Sequence, residues 1–313
     1  MVLFHLALFL LLMKPNDSVG APGVFIFGDS LADSAEMLGL PYAPPFSDPS
    51  TSGQQTLQGV NYASAAAGIL DETGKQYMGP TPFNKQIEHF QQTVSRIYTM
   101  FGQNSTAVYE YLSRIVIIVS IGSNDYLNNY LRPDIYSTSS QYTPLAFSNL
   151  LVQQIAQQLV TLYNMGARRF VVYSLGPIGC TPNQLVGQSC AERVNQMVVL
   201  FNSALRSLII DLNLHLPGAR LSYVDVYGIL TDILINPSTY GFSVTGQGCC
   251  GVENGRAQWN CIAGATPCNN RNSYIFWDSL HPTEAVSRVV AQRSFLGPPS
   301  DIYPLNIQQL ASM

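Results

Sequence analysis

Charged side chains are scarce in this chain. Asp, Glu, Lys and Arg make up 11% of its 313 residues, and 15 basic against 19 acidic groups leave a formal charge of −4. That balance offers no footprint for a phosphate backbone, so nucleic acid is excluded as a partner. Metal and nucleotide signatures are missing too. There is no His-Glu-x-x-His pair of zinc ligands and no Cys-x-x-Cys pair. The nearest approach to a phosphate-binding loop, Gly68 to Lys75, is one residue too long and continues with Gln76 where a hydroxyl residue is needed. No metal and no other cofactor is implied. The Gly-x-Ser-x-Gly turn that carries the nucleophile of α/β-hydrolases is also absent. What the chain has in quantity is apolar material, 47% of its residues, with 11% aromatic, and this excludes disorder, collagen and coiled coil. Neither an internal repeat nor an interdomain linker is visible, and the length suits one large α/β domain.

Long apolar runs are confined to the amino terminus. Val2 to Met13 is almost unbroken, too short to span a bilayer comfortably, and ends in Lys14, Pro15, Asn16 and Asp17 before small residues at Val19, Gly20 and Ala21. This reads as a signal peptide over residues 1–21, in preference to an anchor or a buried helix, with a mature chain from Pro22. No later segment is comparable, so a secreted protein without a stable membrane span is expected. An exported chain meets oxidising conditions, in which disulfides persist. All six cysteines, Cys180, Cys190, Cys249, Cys250, Cys261 and Cys268, follow Arg168 and have no histidine among them, so disulfides are expected rather than zinc. Proximity pairs Cys180 with Cys190 and leaves the other four to pair among themselves. Asn104-Ser105-Thr106 is an acceptor sequon for a glycan, in a polar stretch after a predicted helix.

Val24 to Phe27, Ile115 to Ser120, Phe170 to Ser174 and Leu221 to Val226 are short runs rich in Val, Ile, Phe and Tyr, as expected of parallel strands covered on both faces. Helical spacing separates them. Ile87, Phe90, Val94, Ile97 and Phe101 recur with helical period, as do Phe147, Leu151, Ile155, Leu159 and Leu162, with Gly166 placed to end the second helix. A third helix is predicted from Ala191 to His215, stopped by Pro217-Gly218, and a shorter one from Val226 to Leu234. Such alternation predicts an α/β fold: a doubly wound, mostly parallel sheet between two layers of helices. Ligands in such folds collect at the carboxyl ends of the strands.

Polar residues that a core does not need stand at two of those ends. Gly28-Asp29-Ser30-Leu31 follows the first strand, and Ile121-Gly122-Ser123-Asn124-Asp125 the second; Trp277-Asp278-Ser279-Leu280-His281-Pro282-Thr283-Glu284 lies near the carboxyl terminus. Serine is a weak nucleophile until a base takes its proton, and histidine is a good base once something holds its tautomer. Asp278 and His281 are three residues apart, so one helical turn puts carboxylate and imidazole on one face; Pro282 then fits the first turn of a helix running through Val289. Of the four histidines, His5 lies in the leader, while His89 and His215 are expected to be surface or packing residues. Asp29 is expected to accept backbone N–H bonds. A cap for a helix starting at Leu31 is the structural alternative for Ser30.

With Gly59-Val60-Asn61-Tyr62-Ala63-Ser64-Ala65-Ala66-Ala67-Gly68-Ile69 and Gly176-Pro177-Ile178-Gly179-Cys180 added, these blocks resemble the GDSL (SGNH) esterase/lipase family, in its large secreted plant branch, in the family's order across nearly the whole mature chain. The resemblance implies a single SGNH-type, flavodoxin-like hydrolase domain over residues 22–313. It also implies Ser30 as nucleophile, His281 as base and Asp278 as its orienting acid. Asn124 would lend its amide to the oxyanion hole, with the N–H of Ser30 and one in the Ala65 to Gly68 stretch, Gly68 being the one named. The substrate implied is a small-molecule ester, lipid or small acyl; a carbohydrate acetyl esterase is the alternative. One departure stands out. Relatives continue the first block with a Gly-Asn-Asn and a longer segment before the next block, whereas here Leu31-Ala32-Asp33-Ser34 runs straight into Ala35 to Pro41. A segment near residues 34–36 is therefore expected to be missing, and an inactive or poorly folding isoform, or a binding remnant, is the competing reading.

Overall fold

The computed structural model describes residues 20–32, 43–77, 79–253, 256–257 and 261–313. Residues 1–19 and the stretch from Asp33 to Tyr42, on which the expected signal peptide and missing segment fall, lie outside the described residues. Four strands form a parallel sheet in the order β1 (Val24–Gly28), β2 (Val116–Ser120), β3 (Arg169–Tyr173) and β4 (Arg220–Val224). These are the predicted strands, with ends moved by a residue or two. The register is unbroken from Val24 opposite Val116 to Gly28 opposite Ser120, so the carboxyl ends of β1 and β2 finish level.

Two features of the sheet escaped the sequence pattern. The Val60 to Ser64 stretch lies beside β1 in the parallel sense, with Ile26 N–H on Val60 O (3.0 Å), Tyr62 N–H on Ile26 O (2.8 Å) and Ser64 N–H on Gly28 O (3.1 Å). It extends the sheet beyond β1 by isolated bridges, a stretch too short for its alternating Val60 and Tyr62 to mark it as a strand. At the other edge β7 (Ile302–Tyr303) pairs antiparallel with β4. Between β4 and β7 in the chain, β5 (Val244–Gly248) and β6 (Tyr274–Phe276) form a separate small parallel pair.

Alternation along each strand sorts the side chains onto two faces. Phe25, Phe27, Ile117, Val119, Phe170, Val172 and Leu221 enter one core. That core is closed by α1 (Phe83–Met100), α2 (Ser105–Arg114), α3 (Pro144–Asn164) and α4 (Glu192–His215). Val24, Ile26, Val116, Ile118, Val171, Tyr173 and Val224 enter the other, beneath α5 (Val226–Ile235), α6 (Glu284–Leu296) and α7 (Ile307–Ala311). The result is the predicted three-layer α/β/α architecture. Among the described residues α4 is the one helix long and apolar enough to cross a membrane. Its stripe of Val194, Val198, Phe201, Leu205 and Ile209 is spent on the core.

Polar residues on otherwise apolar helix faces position the loops at the strand ends. Gln86 of α1 is fully buried; its Oε1 accepts from Gly28 N–H (2.8 Å) and its Nε2 donates to Gly28 O (2.8 Å) and Thr81 O (2.9 Å). Asn202 of α4 accepts from Leu175 N–H (2.9 Å) and donates to Leu175 O (2.8 Å), and Asn195 accepts from Gly179 N–H (2.9 Å). These contacts hold the turn after β1 and the Gly176 to Cys180 loop after β3. Gln86→Ala leaves Gly28 N–H buried and unpaired while Gly28 O keeps only Ser64 N–H, so it should destabilise the protein by about 1–3 kcal/mol in urea unfolding, the usual cost of orphaning a buried donor; a loss within experimental error of zero would show that water replaces the amide.

Candidate active site

Gly28 ends β1 where the sheet leaves no room for a side chain. A Cβ there meets Ser120 O at 2.2 Å and Ala32 Cβ at 2.6 Å, so the chain turns tightly against the end of β2. Asp29, buried at the start of the turn, accepts Leu31 N–H on Oδ1 at 2.9 Å. This is the expected structural role, and it leaves Ser30 between Asp29 and Leu31 at the rim. From the far end of the chain His281 reaches it: Ser30 Oγ and His281 Nε2 are 2.9 Å apart.

The Asp278 to His281 segment is not the helical turn that its spacing suggested. Asp278 Oδ1 accepts Leu280 N–H (2.9 Å) and His281 N–H (2.8 Å), folding the loop around its own carboxylate, and Trp277 N–H on His281 O (2.8 Å) closes it. The carboxylate also faces His281 Nδ1, with Oδ1 at 3.0 Å and Oδ2 at 2.9 Å. Pro282 correspondingly lies outside α6, which starts at Glu284 with Thr283 before it. Thr283 N–H bonds to Ile275 O (2.8 Å) and Thr283 Oγ1 to Tyr274 O (2.7 Å), so these residues are tied to β6 before the helix can begin.

Because an ionised carboxylate can only accept, His281 Nδ1 must carry its proton, and Nε2 is left to accept from the Ser30 hydroxyl. Burial acts to lower the imidazole pKa, but the hydrogen bond and charge of Asp278, with the charge of Asp29, outweigh it and hold His281 above the ordinary 6.5. For Asp278, burial acts upward and is outweighed by the hydrogen bond and charge of His281, so its carboxyl stays below the usual range. Cys261 N–H adds a contact to Asp278 Oδ2 at 3.2 Å. That residue is itself fixed by the Cys250–Cys261 disulfide, beside Cys249–Cys268; the third bond is Cys180–Cys190. The Cys180–Cys190 pairing is the expected one, and the remaining four cysteines do pair among themselves.

Asn124 begins the turn after β2 and is buried there. Its Nδ2 donates to Ala67 O (3.0 Å) and, more weakly, to Asp29 Oδ2 (3.3 Å), and its Oδ1 accepts from Asn128 at 2.5 Å. The amide thus bridges the first and second sequence blocks, one residue from Ser30. Gly68 is brought near the same region but faces a different neighbour: a Cβ on it meets Thr73 Cβ at 2.5 Å and Asp125 Oδ1 at 2.6 Å. Asp125 was not singled out by the sequence pattern. Fully buried, it accepts from Ile69 N–H (2.8 Å), Leu70 N–H (3.1 Å) and Thr73 Oγ1 (2.7 Å), folding the loop after Gly68 onto the turn that carries Asn124. Burial raises its carboxyl to about 6 against the lowering effect of those three donors. Within that loop Ala66 adopts φ +62°, a left-handed conformation in which its Cβ is crowded.

The two remaining described histidines occupy packing and surface positions, as expected. His89 stacks on Phe46 at 4.3 Å between ring centroids, and His215 is exposed and pairs with Asp211. Asn104 is exposed and caps α2, its Oδ1 accepting from Thr106 and Ala107 N–H. No group of three or more His, Cys, Asp or Glu suited to a metal ion occurs among the described residues.

Serine, imidazole and carboxylate thus converge from opposite ends of the chain. Residues 16–294 match the model of the GDSL-like lipase/acylhydrolase family. The chain belongs to that family. Two GDSL esterase/lipases of Arabidopsis thaliana are similar to it, one 46% identical over 282 residues (88% of this chain, 75% of the relative) and one 43% identical over 304 residues (95% and 83%). GDSL esterase/lipase 7 of the same plant is 39% identical over an alignment of 337 positions covering 94% of this chain and 93% of the relative. That alignment is longer than this chain, so the relative carries residues with no counterpart here. An X-ray structure of a Bacillus subtilis protein aligns with 87% of this chain and 54% of its own at 13% identity and a TM-score of 0.39, a likeness too slight to bear on the fold.

Two measurements follow from the site's geometry. The His281 imidazole should titrate in NMR spectra above 6.5, and Asp278→Asn should move the midpoint downward because both the charge and the carboxylate acceptor are removed; an unmoved midpoint would contradict the assigned pair. Ala66→Gly should raise stability by about 1 kcal/mol, since glycine occupies the left-handed region without the Cβ penalty, and thermal unfolding reads the change.

Proposed function

We propose that this chain is a serine esterase that hydrolyses carboxylic esters through an acyl-enzyme, with Ser30 as nucleophile, His281 as general base and Asp278 as the acid that orients it. The observation that carries this reading is the continuous line of contacts from Ser30 Oγ to His281 Nε2 and from His281 Nδ1 to the Asp278 carboxylate. Membership of the GDSL-like lipase/acylhydrolase family, and relatives that bear the name esterase/lipase, support the ester as substrate. Ser30 Oγ bonds to the ester carbonyl carbon as its proton passes to Nε2, and the carbonyl π pair moves onto oxygen. The bond to the leaving alkoxide then breaks, and the alkoxide takes the proton from His281. Water repeats the sequence on the acyl-enzyme, releasing the acid and restoring Ser30.

Stabilising the oxyanion is the other requirement. In this reading the donors are Ser30 N–H, the Asn124 amide and an N–H of the Ala65 to Gly68 stretch, Gly68 among them. The resting Asn124 amide already has two acceptors, and the longer contact, 3.3 Å to Asp29, is the one an oxyanion displaces. The substrate is a lipid or small acyl ester. The apolar leader, the three disulfides and the exposed sequon at Asn104 fit a secreted, glycosylated protein.

Ser30→Ala should abolish turnover of a short-chain aryl ester while leaving the thermal transition in place; undiminished turnover would sink the proposal. Asn124→Ala should lower kcat about 10²-fold or more, the usual loss for one oxyanion donor. Only neutral imidazole serves as the base, and His281 holds its proton more tightly than an ordinary histidine. kcat/KM should therefore fall as pH decreases through a midpoint above 6.5.

A further inference from the structure

The single helical turn Ser123–Asp125 widens into a π-helical turn over Tyr126–Tyr130, in which Leu131 N–H bonds to Tyr126 O at 2.9 Å. Such turns are rare and recur at functional sites. This one buries two successive asparagines, Asn128 and Asn129, four residues after Asn124 and Asp125 respectively. Asn129 serves the loop after Gly68: its Nδ2 donates to Thr73 Oγ1 (3.1 Å), the hydroxyl that bonds to Asp125, and its Oδ1 accepts from Thr138 Oγ1 (2.6 Å). Asn128 serves Asn124. Its Nδ2 donates to Asn124 Oδ1 (2.5 Å), its Oδ1 accepts from the Tyr77 hydroxyl (3.1 Å), and its backbone O accepts from Gln76 Nε2 (3.1 Å).

The direction of this line of bonds is fixed at one end. A carbonyl oxygen can only accept, so the edge of the Asn124 amide that faces Ala67 O must be Nδ2, and the opposite edge Oδ1. An amide turned over would set Oδ1 against Ala67 O and against any oxyanion. Asn128 Nδ2 holds Oδ1 in place, and a bond accepted at Oδ1 also polarises the amide toward stronger donation from Nδ2. That restraint matters most when the 3.3 Å contact to Asp29 is exchanged for substrate, because Nδ2 then keeps only Ala67 O of its two resting acceptors. We propose that Asn128 is a positioning residue for the oxyanion hole, presenting the donor edge of Asn124 to the developing charge through the line from Tyr77 to Asn128 to Asn124. The assignment rests on the serine-esterase reading above, in which Asn124 is an oxyanion donor.

The test is a double-mutant cycle on a p-nitrophenyl ester, with kcat and KM read separately in the full-length chain. Asn128→Ala should lower kcat about 10-fold, the rate equivalent of one net hydrogen bond, and leave KM within about twofold. Asn128→Asp, equal in size, puts an acceptor where the donor stood; Asn124 then turns its amide over, and kcat should fall about 10²-fold, the usual loss for one oxyanion donor. In the Asn124→Ala background neither substitution should cost anything further, because the group it acts through is gone. Tyr77→Phe removes the outer bond of the line from an exposed side chain and should lower kcat about threefold, again only where Asn124 is present. Circular dichroism and thermal unfolding establish that each variant is folded, and Tyr77→Phe carries the test if substitutions at buried Asn128 give no folded protein. An unchanged kcat in folded Asn128→Ala or in Tyr77→Phe, or losses that add in full to that of Asn124→Ala, would overturn the proposal while leaving Ser30, His281 and Asp278 in their roles. An unchanged kcat in Asn124→Ala would remove the donor role of Asn124, and the positioning role with it. Absence of turnover on every ester by the parent chain would overturn the serine-esterase reading itself.

Discussion

The 2.9 Å contact between Ser30 Oγ and His281 Nε2 joins points 251 residues apart in the chain. Neither partner is held by the other. Ser30 is placed by the tight passage of Gly28 beneath Ser120 and by the Gln86 amide that occupies both polar groups of Gly28. His281 is placed by the Asp278 carboxylate, which binds its ring and two backbone N–H groups of its own loop. Side-chain positions of this kind must be kept to a fraction of an ångström to be chemically useful, and the buried sheet with its level strand ends supplies the rigid base.

Three buried carboxylates surround the site, and each is accommodated differently. Asp29 serves the turn in which the serine sits, with Asn124 as its second neighbour. Asp278 is kept ionised by the imidazole and by backbone donors. Asp125 has no cationic partner in its three-donor cradle, and burial leaves its carboxyl at about 6, above its ordinary value of 3.8. A carboxyl raised by folding favours the folded state most below its unfolded pKa, and that contribution is lost as pH rises through the folded value. For Asp125 the window runs from about 3.8 to about 6, so the loop that Asn124 shares with Gly68 is held under a cost at neutral pH that remains after its three hydrogen bonds have acted.

The alternation of apolar residues in the strands was legible because both faces of the sheet are buried and every second residue must suit one core or the other. The Val60 to Ser64 stretch was not, because it is too short for its alternating Val60 and Tyr62 to stand out from a loop, and its place beside β1 is set by backbone bonds with Ile26 and Gly28 and by burial of those two side chains. Gln86, Asn195 and Asn202 were missed in a different way. They sit on apolar helix stripes, where a polar residue is itself a sign of a buried partner, but the sequence does not reveal which loop that partner belongs to. Asp278 and His281 were correctly paired at three residues' separation for the wrong reason, since an aspartate folding a loop onto its own carboxylate satisfies the same spacing as a helical turn.

By itself the sequence determined the layered α/β class, the set of cysteines that bond, and the identity of the serine, histidine and aspartate, because these depend on residue type, period and motif order. The tertiary structure decided what depends on contact between distant segments: the pairing of Cys249 with Cys268 and Cys250 with Cys261, the engagement of the Asn124 amide by Ala67 and Asp29, and the cradle around Asp125. It also decided where apolar side chains of β2, β3, α5 and α6 fail to meet and leave a cavity. A void of that kind has no motif, since it is set by the distance between packed layers and not by any residue that lines it.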